Sequence, residues 1–458
     1  MRRIFLVSLM LVLFVLAAGL IALSACSDSE ETSDTTSQTA SGQAQPAQQT
    51  EAQIQQQPQR ATVEAQAEDT DEALGPLKIA LIGDLTGGLA EIGVAIRDGF
   101  LLGIKHINQA GGVFGQPVEF VIGDTQTDPT IAVEEARRVI EIEGAHAIVG
   151  AHASANSIAI AESITARARI PQVTPASSSP QLALTEDDDF LFRVTLNDRV
   201  QGPALAELTY DQGFTNVGVL YRDDAWGQGI AAAFELSFSE DWGGTVVSIP
   251  VDPRQTTYLS ELQQSLREGA QALVMLGYVP EGTIILREAI ENGLYTQFVF
   301  GPTSRNPVLL KEIGAEHLAN MYGTAPGTAP ATESALLWEA AFIEEYERPY
   351  DYPYTKQAYD AVIALALAAQ AAQSTDGVAI RDQLRRIGGA PGQVVIADVG
   401  SLRLGLNAAA NGEDIDYEGA AQSLEWDENG DLERGYVGIW RFTAEGEIED
   451  TGVIPYGE

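Results

Sequence analysis

The stretch from Lys78 to Asp124 alternates short β-branched runs with an amphipathic run: KIALI at 78–82, GVAIRDGFLLGIKHINQ at 93–109, then Gly111-Gly112 and VEFVI at 118–122. These runs predict a strand, a helix that stops at the glycines, and a second strand that ends at Asp124. The alternation continues with a helix over 129–143, a strand over 145–149, a helix over about 156–168 and a strand over 170–174.

A second series repeats the order of the first one. Its predicted elements are the strand 217–221, the helix 227–238, the break Gly243-Gly244, the strand 246–251 with Asp252 after it, the helix 258–268, the strand 272–276, the helix 282–292 and the strand 298–300. The repeat predicts an α/β fold of two Rossmann-like lobes, each a doubly wound parallel sheet. In such sheets a ligand binds beyond the carboxyl ends of the strands.

The rest of the chain is too short for a third domain. It predicts helices over 333–346 and 356–373, and a terminal hairpin in which Asn429-Gly430 joins 422–426 to 436–440. We expect three hinge crossovers, near 195–197, 324–326 and 431–436. Lobe 1 then comprises residues 77–196 plus 326–432, and lobe 2 comprises 197–325 plus 433–458.

The N-terminus has the pattern of an export signal. Arg2 and Arg3 precede an apolar run over 4–25 that ends in Leu23-Ser24-Ala25-Cys26, which resembles a bacterial lipobox. We therefore expect a signal peptide over 1–25 and a lipid on Cys26, with a transmembrane anchor as the alternative. Because Cys26 is the single cysteine, no intrachain disulfide can form.

Residues 26–76 read as a disordered acidic, Gln-rich tether. After Cys26 they contain eleven Gln, ten acidic residues and one basic residue, Arg60. Such a composition buries too little apolar surface to offset the entropy of ordering. The whole chain of 458 residues has 65 acidic and 26 basic side chains, a net charge of −39. This charge argues against nucleic acid as a partner.

Several segments of the folded part carry a family resemblance. They are Gly83-Asp84-Leu85-Thr86-Gly87, residues 107–113, Thr174-Pro175-Ala176 with the serines after it, Phe192-Arg193, Gln201-Gly202-Pro203, Gly277-Tyr278-Val279-Pro280-Glu281 and residues 426–431. In this order and spacing, residues 77–458 resemble the branched-chain amino-acid-binding proteins of bacterial ABC importers. The resemblance implies a monomeric, lipid-anchored protein outside the cytoplasmic membrane that delivers a small ligand to an ABC permease.

The resemblance also implies a ligand site between the lobes. It assigns the ligand carboxylate to Ser154, Ala176 and Ser178, although hydroxyl-rich turns of this kind also serve as caps. It assigns aromatic or apolar contacts to Trp226, Tyr278 and Ile92, for which a core role is the alternative.

One position departs from the family's pattern. Thr303 stands where the family has a glutamate for the ligand ammonium. Either another carboxylate (Asp84, Asp124, Asp223 or Glu281) replaces it, or the ligand is an amide, a short organic acid or an aromatic acid.

Enzymatic activity and ligand sensing are the competing functions. The four histidines match no metal-binding spacing, and Gly-x-Ser-x-Gly is absent from the sequence. We therefore expect no catalytic residue, metal or cofactor. A sensor that reports ligand binding to a membrane receptor would have the same two-lobed fold with a ligand site between the lobes.

Overall fold

The computed structural model describes residues 74–327 and 332–457. The expected signal peptide, Cys26 and the tether as far as residue 73 lie outside the described residues. Within the described ranges, no helix combines the length and the apolar character needed to cross a bilayer.

The strands of the two predicted series are present, and further strands appear at Leu191–Arg193 and from Tyr322 onwards. In chain order they are β1 Lys78–Gly83, β2 Glu119–Asp124, β3 Ala147–Gly150, β4 Gln172–Thr174, β5 Leu191–Arg193, β6 Asn216–Arg222, β7 Thr245–Val251, β8 Ala272–Leu276, β9 Phe298–Phe300, β10 Tyr322–Pro326, β11 Gln393–Ile396, β12 Ile415–Glu418, β13 Gly435–Phe442 and β14 Ile448–Tyr456.

The helices connect these strands and complete both halves of the fold. They are α1 Ala90–Ala110, α2 Pro129–Arg137, α3 Ser154–Ile160, α4 Ala166–Ala168, α5 Asp198–Asp211, α6 Ala225–Glu240, α7 Leu259–Ser265, α8 Val279–Glu291, α9 Pro307–Ile313, α10 Ala315–Leu318, α11 Glu333–Tyr346, α12 Thr355–Ala372, α13 Gly377–Leu384 and α14 Val399–Ala410. Wider π-helical turns over Arg138–Ile142 and Ala161–Thr165 extend α2 and α3.

The strands form two large sheets with the same core order. The first sheet is β2-β1-β3-β4-β5, and all of its pairings are parallel. The second is β14-β13-β10-β9-β8-β6-β7, in which the parallel run β7-β6-β8-β9-β10 repeats the first order. The predicted α/β class, with parallel sheets flanked by helices, is confirmed. Below, lobe 1 denotes the first sheet with α1–α4 and α11–α14, and lobe 2 denotes the second sheet with α5–α10.

Close packing between α1 and α12 positions the part of lobe 1 that borders the site. Helix α12 is mostly apolar and is buried from Thr355 to Gln370, so it is a core helix. It lies directly against α1 at Gly99, where a Cβ atom would come within 2.1 Å of the Thr355 carbonyl oxygen. A larger side chain at Gly99 would therefore push apart two helices that border the site.

The predicted terminal hairpin is wrong. Strand β13 pairs antiparallel with β10 on one side and with β14 on the other. The Asn429-Gly430 turn instead lies in a loop in which the Asp427 carboxylate accepts from the backbone N–H groups of Asn429 and Asp431. The sequence prediction lacked β14, the strand that supplies the true partner.

Candidate functional site

Six of the seven side chains assigned by resemblance surround one small interlobe cavity. Its volume is about 20 Å³, and its lining comprises Leu89, Ile92, His152, Ser154 and Ala176 from lobe 1, Trp226, Tyr278 and Thr303 from lobe 2, and Tyr354, which precedes α12. Apart from Tyr354, these side chains follow the strands β1, β3 and β4 of one sheet and β6, β8 and β9 of the other. In both sheets the first two of those strands form the switch point, where such folds bind ligands.

The seventh assigned residue, Ser178, lies away from the cavity lining. Its hydroxyl donates to Oδ2 of Asp198 at 3.1 Å, and both side chains are fully buried. Burial raises the pKa of Asp198 to about 7, against the opposing effects of the Ser178 bond and of Arg193. Ser178 thus ties the β4 loop of lobe 1 to the first residue of α5 in lobe 2.

Asp84 holds the polar wall of lobe 1 in place. Its Oδ2 accepts from the backbone N–H groups of His152 at 3.2 Å and Ala153 at 3.0 Å. Its Oδ1 accepts from Thr125 Oγ1 at 2.6 Å and from Asn156 Nδ2 at 2.9 Å. With four donors on two oxygens, this buried carboxylate fixes the loop between β3 and α3 and has no further role to offer a ligand.

The imidazole of His152 is held by the same loop. Its Nδ1 accepts from the backbone N–H of Asp84 at 3.1 Å, so the ring proton of the neutral form sits on Nε2. Burial lowers the pKa of His152, against the opposing charges of Asp84 and Asp124. The ring is therefore neutral at pH 7. Among the described residues, Nε2 has no hydrogen-bond partner.

Ser154 supplies a second polar group to the cavity. Its Oγ accepts from the backbone N–H of Ser179 at 3.2 Å, which uses a lone pair and leaves the hydroxyl hydrogen to donate. Ala176 lies on the neighbouring loop, which Thr174 fastens by donating from Oγ1 to the Ala151 carbonyl at 2.6 Å. The lobe 1 wall is therefore small, rigid and rich in donors.

The lobe 2 wall is aromatic. The rings of Trp226 and Tyr278 stack with centroids 5.3 Å apart and an interplanar angle of 26°. Arg222 lies over Tyr278, with its Cζ 4.3 Å from the ring centroid. Its guanidinium also pairs with Asp224 at 2.6 Å and with Glu281 at 2.8 Å. This three-layer stack gives the wall a fixed apolar surface.

Thr303 completes the lobe 2 side without a charge. It lies in a short 3₁₀ turn after β9, and its Oγ1 donates to the Gly277 carbonyl at 2.8 Å. The hydroxyl hydrogen is thus committed to the protein, while the oxygen lone pairs remain able to accept.

The four carboxylates that could replace the expected glutamate do not line the cavity. Glu281 accepts from Arg222 and from the backbone N–H of Tyr278, and Asp84 is held as described above. Asp124 accepts from the backbone N–H groups of Leu85, Thr86 and Gln126. Asp223 accepts from Gln228. Over residues 74–327 and 332–457, the cavity lining therefore has no acidic side chain for an ammonium group.

Three lining residues were missed from the sequence. Tyr354 comes from a segment far along the chain and has a left-handed backbone, φ 70°. No sequence pattern predicts either feature. Burial raises the pKa of its phenol, so that group stays protonated. His152 is one of four histidines without a metal-binding spacing, so its sequence context gives no site signal. Leu89 lies just before α1, whereas the predicted helix begins at residue 93.

Switch points that face each other across one cavity, with a polar wall on one side and an aromatic wall on the other, define a two-lobed solute-binding protein. The chain belongs to the periplasmic binding protein family, which matches residues 76–403. It is 27% identical over 317 residues to the leucine-, isoleucine-, valine-, threonine- and alanine-binding protein of Pseudomonas aeruginosa, covering 68% of this chain and 83% of that protein. It is 25% identical to the leucine-specific-binding protein of Salmonella typhimurium, covering 81% of this chain and 92% of the relative.

A solved structure shows the same fold. A leucine-binding protein from Thermotoga maritima superposes with a TM-score of 0.70 at 26% identity, covering 82% of this chain and 98% of that chain. The resemblance to branched-chain amino-acid-binding proteins is confirmed. The relatives are solute-binding proteins rather than enzymes, and the family implies an extracytoplasmic location. Within the described ranges, His, Cys, Asp and Glu form no cluster of three or more suited to a metal ion.

Proposed function

We propose that this chain is the solute-binding subunit of an ABC importer and captures a small amino-acid-like molecule between its lobes. The observation that carries the proposal is the meeting of two equivalent switch points, one polar and one aromatic, at a single cavity. Donors on one side suit a carboxylate, and the stacked rings of Trp226 and Tyr278 suit an apolar body. The names of the relatives favour leucine, isoleucine or valine.

A second class of ligand has its own support. An ammonium buried without an anionic partner is costly, and no acidic side chain of the described residues lines the cavity. This favours a small carboxylate without an ammonium, such as a short or aromatic acid, or an amide. An amino acid and a carboxylate without an ammonium share both head-group oxygens and differ in the group on the adjacent carbon, whereas an amide keeps one of the two oxygens.

Ligand entry requires movement of the lobes. A cavity of about 20 Å³ holds about one water molecule, so a ligand enters only when the walls separate. Two interlobe hydrogen bonds would break: Ser179 Oγ to the Ala225 carbonyl at 2.7 Å, and Arg305 Nη1 to the Asp351 carbonyl at 2.6 Å. We propose hinges at the three crossovers, between lobes 77–196 plus 326–432 and 197–325 plus 433–458.

The location of the protein follows from its N-terminus and its family. We propose that the signal peptide is removed, that Cys26 is lipidated, and that the tether lets a monomer reach its permease over roughly 40 Å. Mass spectrometry of the membrane-extracted protein should find lipid on Cys26 and none after Cys26→Ser. An unmodified Cys26 in wild type would contradict the lipid anchor and favour the transmembrane alternative.

A ligand screen tests the proposal. Melting temperature is measured with millimolar leucine, isoleucine, valine, 4-methylpentanoate and benzoate, with maltose as a neutral control. A ligand at 100 times its Kd should add about 2.7 kcal/mol to the free energy of unfolding. If none of the five acids raises the melting temperature above the maltose control, the proposed function is wrong.

A further inference from the structure

A larger cavity lies beside the ligand cavity, and Tyr354 belongs to both linings. Its volume is about 360 Å³, a size that can hold a small molecule, against about 20 Å³ for the ligand cavity. Its walls come from both lobes: α11 and the start of α12 on one side, and β10, β13 and β14 on the other. We call it the second cavity, and its lining includes Arg305, Glu339, Tyr354, Lys356, Gln357 and Asp450.

Both walls pass from one cavity to the other within a few residues. On the lobe 2 side, Thr303 lines the ligand cavity, and Arg305, at the end of the same 3₁₀ turn, lines the second cavity. On the lobe 1 side, Tyr354 is followed by Lys356 and Gln357, which line the second cavity. Because two residues of chain span at most about 7 Å, the two linings are one short molecule's length apart.

The deep side chains of the second cavity are cations. Those of Lys356 and Arg305 are 3% and 11% exposed, whereas those of their acidic partners, Glu339 and Asp450, are 35% and 63% exposed. The positive charges therefore lie inside the cavity, and the carboxylates lie towards its rim. Such an arrangement favours an anion over a cation at the inner end.

Lys356 and Gln357 retain donors that the protein does not use. The Lys356 ammonium donates to Glu339 Oε1 at 2.6 Å and lies 4.6 Å from the centroid of the Tyr350 ring, and at least one of its three protons remains free. The side-chain amide of Gln357, a residue only 4% exposed, has no hydrogen-bond partner among the described residues. It is nevertheless absent from the unpartnered atoms that are sealed from solvent, so it keeps accessible surface next to the cavity that it lines.

We propose that the second cavity is a subsite of the ligand site, in which Lys356, Gln357 and Arg305 bind a carboxylate at the far end of an elongated ligand. The inference rests on the proposed function and narrows the ligand to a dicarboxylate of about the length of adipate, whose first carboxylate takes the donors of the ligand cavity. A ligand that contacts Lys356 in lobe 1 and Arg305 in lobe 2 also favours the closed form, because both contacts exist only when the lobes meet.

The test is calorimetry with hexanoate, adipate and 6-aminohexanoate, which have the same chain length and end in a methyl group, a carboxylate and an ammonium. Wild type should bind adipate at least about tenfold more tightly than either of the others, the lower end of the range for a hydrogen bond to a charged group. Lys356→Met should remove this preference. Lys356→Arg keeps a cation and should retain part of it.

The chain contains a matched control for this lysine. Lys105 pairs with Glu345, so both lysines have an acidic partner on α11, but Lys105 lies outside the linings of both cavities. Lys105→Met should therefore leave the ratio of the adipate affinity to the hexanoate affinity within about twofold of wild type. A change at this position reports the cost of losing an ion pair on α11.

The outcomes separate the two proposals. If an acid of the melting-temperature screen binds but adipate binds no more tightly than hexanoate and 6-aminohexanoate, the subsite is wrong while the solute-binding function stands. An adipate preference that survives Lys356→Met unchanged also overturns the subsite. The wild-type comparison needs no variant, so it decides even if Lys356→Met fails to fold. Wild type that binds none of these acids and none of the screen overturns the function and this inference together.

Discussion

The two lobes share one strand order but present opposite chemistry at the cavity. Beyond β3 and β4, lobe 1 places His152, Ser154 and Ala176, which are small or polar. Beyond β6 and β8, lobe 2 places the stacked rings of Trp226 and Tyr278. Topology therefore decides where a ligand lies, and the few residues after each strand decide what each wall recognises.

The two walls are also anchored differently. In lobe 1 the carboxylate of Asp84 is held by four neutral donors. In lobe 2 the carboxylates of Asp224 and Glu281 accept from backbone N–H groups and also share one cation, Arg222. The support of the lobe 2 wall thus includes a cation, whereas Asp84 in lobe 1 is held by neutral donors.

The largest effect is expected from removing that cation. Arg222→Met leaves Glu281, whose side chain is 1% exposed, without its charge partner. Breaking a buried pair in this way costs roughly 3–5 kcal/mol, so the midpoint of urea unfolding should fall strongly. The matched control is Arg254→Met in the same lobe, because Arg254 pairs with Asp252 on the open surface with its side chain 87% exposed. Equal midpoints for the two variants would contradict the anchoring role of Arg222.

A smaller effect is expected from opening the aromatic wall. Trp226→Ala removes one layer of the stack and the apolar cover of the ligand. Full burial of a large apolar side chain contributes about 1.5–3 kcal/mol, so the affinity for the best ligand of the screen should fall about 10- to 150-fold. Trp242→Ala is the control, because Trp242 stacks with Tyr210 at 4.8 Å elsewhere in lobe 2. If calorimetry shows the same affinity for both variants, Trp226 belongs to the core rather than to the site.

Much of this contrast could be predicted from the sequence. The spacing of apolar runs located β1 to β4 and β6 to β9 to within two or three residues, because each strand has its own turn signals. The family resemblance pointed to Trp226, Tyr278, Ser154 and Ala176, all of which line the cavity. Whether they bind ligand stays a prediction.

Other features depend on contacts that no local pattern encodes. Tyr354 reaches the cavity only because α12 packs against α1, far away in sequence. Ser178 reads as a site hydroxyl, yet its proton goes to Asp198 across the first crossover. The sequence likewise does not show that Asp84 and Glu281 already accept hydrogen bonds from the protein. Because these carboxylates are engaged, they do not replace the glutamate expected at position 303, and Thr303 therefore bears on the charge of the ligand.

The smallest expected effect comes from restoring an anion at Thr303. Thr303→Glu places a carboxylate on the lobe 2 side of the cavity, where it can accept from an ammonium. A charge-assisted hydrogen bond is worth about 1.5–3 kcal/mol, reduced here by desolvation and by loss of the bond to the Gly277 carbonyl. We expect leucine to bind about tenfold more tightly and 4-methylpentanoate to bind more weakly, since its carboxylate would be repelled.

Thr303→Gln separates charge from size in this experiment. Glutamine has the length of glutamate and also loses the threonine hydroxyl, but it adds no charge, so it should weaken both ligands slightly and reverse no preference. Calorimetry on wild type, Thr303→Glu and Thr303→Gln gives the ratio of the leucine affinity to the 4-methylpentanoate affinity. A change that weakens both ligands equally leaves this ratio unchanged. If wild type already prefers leucine and Thr303→Glu lowers that preference, the cavity finds its ammonium partner elsewhere. The polar wall of lobe 1, with its backbone carbonyl groups, would then be recognising both ends of a zwitterion.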